Sequence, residues 1–123
     1  MNNKKLGNAF EKEICKLLAH RGFWVHFIVP DARGAQPFDI IAVKDGKAIA
    51  IDCKTCVANN FNINRLEDNQ ISSFEKWIAC GNSDPVIAVK HDHKLYWIPY
   101  SMIQECKSVK LSELISDDDF KEI

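Results

Sequence analysis

Phe38-Asp39-Ile40-Ile41-Ala42-Val43-Lys44, Asp45-Gly46, Lys47-Ala48-Ile49-Ala50-Ile51-Asp52-Cys53-Lys54 decides the fold. Asp-Gly between two apolar, β-branched runs signals a hairpin, because a two-residue type I′ turn needs positive φ at both positions. With Asp45 and Gly46 in the turn, Lys44 pairs with Lys47. Counting outward sets Ile40 against Ile51 and Asp39 against Asp52. Side chains alternate along a strand, so Asp52 and Lys54 share a face and Asp39 joins them. Opposed residues have Cβ atoms ~4.5–5.5 Å apart, and like charges there repel. A hard divalent cation with oxygen ligands offsets that repulsion, and magnesium is commonly held by one or two carboxylates plus substrate phosphates. Scattered charge at the edge of a surface hairpin is the plainer alternative.

Working outward toward the N-terminus, Lys4 to Arg21 has helical periodicity and no proline. Leu6, Phe10, Ile14, Cys15, Leu17 and Leu18 form one apolar arc, with Lys5, Lys12, Glu13, Lys16 and His20 opposite. Glu11 falls inside the arc, where a carboxylate needs a metal or a cationic partner such as Lys54. Glu13 is expected on the wet face. Phe23 to Val29 reads as a strand, and Pro30 to Pro37 as a loop bounded by prolines. Residues 55–64 are polar and asparagine-rich and are expected to be irregular. Arg65 to Cys80 has the spacing of a second helix, closed by Gly81-Asn82. Pro85 to Lys90 and Leu95 to Ile98 are strands joined by a His91-Asp92-His93-Lys94 turn, and Pro99 opens a short helix through Cys106. This order gives an α/β (α+β) domain over residues 1–123, with a mixed sheet of about five strands flanked by helices.

An acidic residue on a first helix, Pro37-Phe38-Asp39 and Asp52-Cys53-Lys54 together resemble the PD-(D/E)XK nucleases. The subgroup most similar is the Holliday-junction resolvases of archaeal and RecU type, including phage relatives. The resemblance spans residues 6–90 and takes in Gly7, Phe10-Glu11, Gly22-Phe23 and Asn69 to Phe74. It implies a restriction-endonuclease-like core and a metal-dependent endodeoxyribonuclease that hydrolyses DNA phosphodiesters at junctions during recombination and repair. It implies Mg²⁺ as cofactor, with Mn²⁺ as a substitute, and a homodimer acting on branched DNA. Glu11, Asp39, Asp52 and the Cys53 backbone carbonyl would hold the metal. Lys54 and Gln70 would complete the catalytic set, either one positioning the attacking water. Position 52 is Asp where Glu is commoner, and Val29 to Phe38 lacks the serine found in some resolvases. Two alternatives stay open: a superfamily nuclease with another target (flap, nick or restriction-type), and a non-catalytic DNA-binding protein on this fold.

Sixteen basic and 17 acidic side chains give a net charge of −1, which is not the footprint of a typical DNA binder. Setting aside Asp117-Asp118-Asp119 and the three candidate ligand carboxylates leaves 16 basic against 11 acidic. Arg33, Arg65, Lys4 and Lys5 are the nucleic-acid-contact candidates. Five cysteines without an export signal suit a reducing cytoplasm, in a bacterial, archaeal or phage-infected cell. No apolar stretch is long enough to span a membrane, and no nucleotide-binding motif is present. Cys53-Lys54-Thr55-Cys56 invites a zinc reading, but a lone C-x-x-C without a second pair is weak. Trp24, Trp77 and Trp97 sit at core-compatible positions, with an interface or base stacking as the alternative uses.

Overall fold

The computed structural model describes residues 9–29 and 36–121. Helix α1 (Ala9–His20) leads through Gly22, at φ +90°, into strand β1 (Trp24–Phe27). Strands β2 (Ile40–Lys44) and β3 (Lys47–Thr55) form the hairpin, with Asp45 and Gly46 at φ 53° and 77°. Its register runs from Lys44↔Lys47 to Ile40↔Ile51, as the sequence required. A two-residue strand β4 (Phe61–Asn62) and a 3₁₀ turn (Ile63–Arg65) precede helix α2 (Asp68–Ala79). The chain continues through β5 (Val86–His91), β6 (Lys94–Pro99), helix α3 (Tyr100–Cys106), β7 (Ser108–Val109) and a 3₁₀ turn at Leu111–Glu113.

The main sheet has the order β1-β2-β3-β5-β6; β3 and β5 run parallel, and its other neighbours antiparallel. Helix α2 makes the crossover that a parallel pair demands. Alternation along the strands divides the core in two. Ile40, Ala42, Ile51, Cys53 and Ala88 pack with Phe10, Ile14 and Leu18 of α1. Ala50, Ile87, Val89 and Ile98 pack on the other face with Phe74 of α2 and Tyr100 and Ile103 of α3. Phe38 joins that second layer, edge-on to Trp77 at a centroid distance of 5.6 Å.

Several sequence expectations are corrected. The second helix begins at Asp68, not Arg65, because Ile63–Arg65 closes as a separate 3₁₀ turn behind the Asn62 cap. Phe61-Asn62, expected to be irregular, pairs with Val109-Ser108 in a small ribbon, a long-range pairing that local polarity hides. The first strand is shorter than Phe23–Val29, since pairing with β2 starts at Trp24 and stops at Phe27. Glu13 is not on the wet face: it is 5% exposed, with Lys90 Nζ 3.6 Å from its Oε1.

Candidate active site

Where β2 and β3 part, the ladder ends at Ile40↔Ile51 and is not continued by an Asp39–Asp52 pair. Asp39 N donates to Ile51 O at 3.1 Å, one residue short of the position that regular pairing would give. Phe38 packs on the α2 side and Ile40 on the α1 side, so alternation breaks at Asp39. The break frees the Asp39 side chain to bond within the sheet end: Cys53 N donates to its Oδ2 at 2.8 Å, and Gln36 Nε2 approaches Oδ1 at 3.4 Å. Asp39 is 5% exposed.

Asp52 is fully buried on the α2 face. Gln70 Nε2 donates to its Oδ1 at 3.0 Å, and Lys54 Nζ lies 3.4 Å from Oδ2. Among the described residues, Oδ2 accepts no hydrogen bond. Burial pushes the Asp52 carboxyl well above the usual carboxylate range, the Asp39 charge adds to this, and Lys54 opposes it. Two carboxylates drawn together in a dry setting, one with an orphaned oxygen, suit a hard cation with oxygen ligands. Asp39 and Asp52 therefore fit a divalent metal, and Lys54 stands beside them as a fixed positive charge.

Gln70 is the third residue of α2 and serves two elements at once. Its Oε1 accepts from Glu67 N at 3.0 Å, closing the helix N-terminus, so its amide nitrogen is the end turned to Asp52. Both ends of the amide are thereby engaged. Its contact is with the carboxylate, and it holds Asp52 in place.

Glu11 lies in the first turn of α1, half-buried, across the sheet from Asp52. Burial, with the Glu11 and Asp39 charges adding to it, pushes the Cys15 thiol up to about 11. Cys53 is shifted upward by burial and then by Asp39, Asp52 and Glu11. Glu11 thus reaches the same end of the sheet as the two aspartates. Among the described residues, however, no three acidic, histidine or cysteine side chains are gathered into one metal-sized cluster. Lys54, which the sequence offered as one cationic partner for Glu11, pairs with Asp52.

A family model described as archaeal Holliday junction resolvase (Hjc) matches residues 2–119. The chain belongs to the Hjc family. A crossover junction endodeoxyribonuclease Hjc from Methanocaldococcus jannaschii is 27% identical over 110 residues, covering 89% of this chain and 77% of that protein. The structure of Archaeoglobus fulgidus Hjc, described as a Holliday junction resolvase from an archaeal hyperthermophile, superposes with a TM-score of 0.66. It covers 85% of this chain and 87% of that one at 18% identity, a likeness of fold. The mixed five-stranded sheet flanked by helices is thus the Hjc architecture.

The remaining site candidates are placed unevenly in this Hjc-family chain. Lys4, Lys5 and Arg33 lie outside the described residues. Arg65 Nη2 donates to Thr55 O at 2.8 Å, and its guanidinium sits over the Phe61 ring at 5.9 Å, so it ties the 3₁₀ turn to the end of β3. Cys53 and Cys56 belong to opposite core layers, and Cys56 Sγ lies 3.1 Å from Ala58 O. His91 Nδ1 is 3.0 Å from Cys56 O. Glu13 is the buried acid that the helical wheel misplaced. It falls three residues after Phe10 and four before Leu17, on the far flank of the apolar arc. That spacing was the available signal.

Proposed function

We propose that this chain is a metal-dependent endonuclease that nicks four-way DNA junctions, with Asp39, Asp52, Glu11 and the Cys53 carbonyl as metal ligands. The observation that carries the reading is the buried Asp39–Asp52 pair with its orphaned oxygen and Lys54, in a chain of the Hjc family. Mg²⁺ is the expected ion, with Mn²⁺ able to replace it, because every candidate ligand atom is oxygen. When bound, such an ion polarises the scissile phosphate and lowers the pKa of a coordinated water. The water oxygen bonds to phosphorus, and the phosphorus–oxygen bond to the departing strand breaks, that oxygen taking up a proton.

The protein's own part is positional and electrostatic. Asp52 is held by Gln70 and Asp39 by the Cys53 amide, so neither carboxylate must reorganise as charge develops. Lys54 neutralises charge on the non-bridging phosphoryl oxygens. Gln70 acts as a positioning residue, since both ends of its amide are engaged. Residues 1–123 act as one domain and pair as a homodimer, which offers two symmetric active sites to a four-way junction. Arg33, Lys4, Lys5 and Arg65 supply phosphate contacts, and the setting is the cytoplasm of a cell that recombines and repairs DNA.

The test is cleavage of labelled four-way junction, linear duplex and single strand, with Mg²⁺ or EDTA, by the wild type and Asp52→Ala. Paired, symmetric nicks confined to the junction, lost in EDTA and in the variant, are expected. Metal-dependent cutting of linear duplex alone would move the target away from junctions. Binding without cutting would refute the enzyme.

A further inference from the structure

Trp24 is 62% exposed and His26 is exposed too, whereas Val25 and Phe27 between and after them in β1 are half-buried. Val25 and Phe27 turn toward α1 and pack there. Trp24 and His26 therefore project on the opposite face, against Val43 and Ile41 of β2. Their rings are parallel within 8°, with centroids 6.0 Å apart. Ile28, the next residue on that face, packs into the α2-side core, and its N–H donates to Asp39 O. Trp24, His26 and the fully buried Asp52 thus lie on one face of the sheet, and the strand runs from the aromatic pair straight to Asp39. Four residues of antiparallel strand separate Trp24 from Ile28, about 14 Å. Stacked DNA advances ~3.4 Å per nucleotide along one strand, so the ring pair lies about four nucleotides from a phosphate held at the aspartates.

We propose that Trp24 and His26 form a stacking platform for an unpaired base of the junction strand being cut. The inference rests on the resolvase reading above. An exposed indole accepts any base on its π-face, and a neighbouring ring parallel to it fixes the plane. Trp24 lies on β1, an edge strand of the sheet, on the same face as Asp52 of β3, so a strand leaving the aspartates toward that edge passes over β2 and meets it. A branch point is where a base within a few nucleotides of the cut can leave its stack. The platform therefore favours branched over continuous DNA.

Binding of a fluorescein-labelled four-way junction and of linear duplex is measured in EDTA for wild type, Trp24→Ala, Trp24→Phe and His26→Ala. Sedimentation and Mg²⁺-dependent cleavage are followed on the same samples. Trp24→Ala is expected to bind the junction about tenfold more weakly. Trp24→Phe should stay within about twofold of wild type, and duplex binding should change little in any variant. His26→Ala should fall between, which keeps the inference testable were Trp24→Ala poorly folded. Unchanged junction affinity in Trp24→Ala and His26→Ala, with wild type cutting junctions, overturns the platform and leaves the resolvase standing. A wild-type dimer that becomes monomeric on Trp24→Ala overturns it in favour of a protein interface. Wild type that neither binds nor cuts junctions removes both readings.

Discussion

Asp52→Asn should stabilise the metal-free protein while abolishing its cleavage. The wild-type carboxylate is fully buried and feels the Asp39 charge, and among the described residues it has one hydrogen bond to Oδ1 and none to Oδ2. Its compensating charge, Lys54 Nζ at 3.4 Å, is 16% exposed and so partly hydrated. Burying an ion carries an effective penalty of several kcal/mol, which a single imperfect pair only partly repays. The amide keeps an oxygen for Gln70 Nε2, removes the charge repelling Asp39, and can offer Nδ2–H to the Asp39 carboxylate. It also leaves Lys54 without its partner, which limits the gain because that ammonium reaches solvent. The net effect is about 1–2 kcal/mol of added stability, or a melting temperature raised by about 4–8 °C for a domain near this size. Thermal unfolding in EDTA reads this directly. Mg²⁺ should then stabilise the wild type, by about 2.7 kcal/mol at a hundred times its dissociation constant, and leave the variant unmoved. Cleavage should fall by about a thousandfold or more. An Asp52→Asn protein that melts clearly below wild type in EDTA would refute the reasoning and make Asp52 a structural anchor.

Gln70→Ala should lower stability by about 1 kcal/mol through loss of the helix closure. Its kcat should fall about 10–100-fold with junction KM little changed, as for a ligand that loses its support; an equal fall in kcat with KM raised would point instead to substrate contact. Asp117 accepts from Trp97 Nε1 at 2.8 Å and pairs with Arg21; burial alone would raise its carboxyl, but these partners hold it below the usual range. Because the folded value is the lower one, this pairing stabilises above the ordinary carboxylate pKa of 3.8 and is lost as pH falls through the folded value. The melting difference between wild type and Asp117→Asn should accordingly be about 1–2 kcal/mol at pH 7 and shrink in acid, whereas a constant gap would contradict it. Lys107 ends α3 at φ 68°, a conformation that suits glycine, and its side chain is exposed. Lys107→Gly should therefore gain about 0.5–1 kcal/mol, seen as a higher denaturant midpoint with unchanged slope.

The hairpin and its register were legible because turn chemistry and alternation are local rules that agree with each other. Asp45-Gly46 fixes the turn, and every pair from Lys44↔Lys47 to Ile40↔Ile51 follows. The rule fails at Asp39, where the strand leaves regular pairing and Phe38 crosses to the other core layer. Nothing in residue type announces that break; it depends on the fit of Phe38 between Phe74 and Trp77. Glu13 was misread for a related reason. A helical wheel gives direction but not the centre of the buried arc, and Lys90, 77 positions along the chain, supplies the charge that lets the acid turn inward. The β4–β7 ribbon and the Arg21–Asp117 tie likewise rest on distant partners.

The departure at Asp39 is what makes the site chemically useful. In a regular ladder Asp39 and Asp52 would face each other as a non-hydrogen-bonded pair with both side chains on one face of the sheet, and the Cys53 amide would donate to Phe38 O. Here the Cys53 amide spends its hydrogen bond on the Asp39 carboxylate, so that side chain is fixed at the open end between the two faces. Glu11, carried on the α1 side, can then approach the same end that Asp52 and Gln70 approach from the α2 side. Glu11 and Asp52 are thus positioned by different core layers, with Asp39 held between them. Packing changes remote from the site in either layer should therefore alter the spacing between the carboxylates, and hence metal affinity, before they unfold the domain.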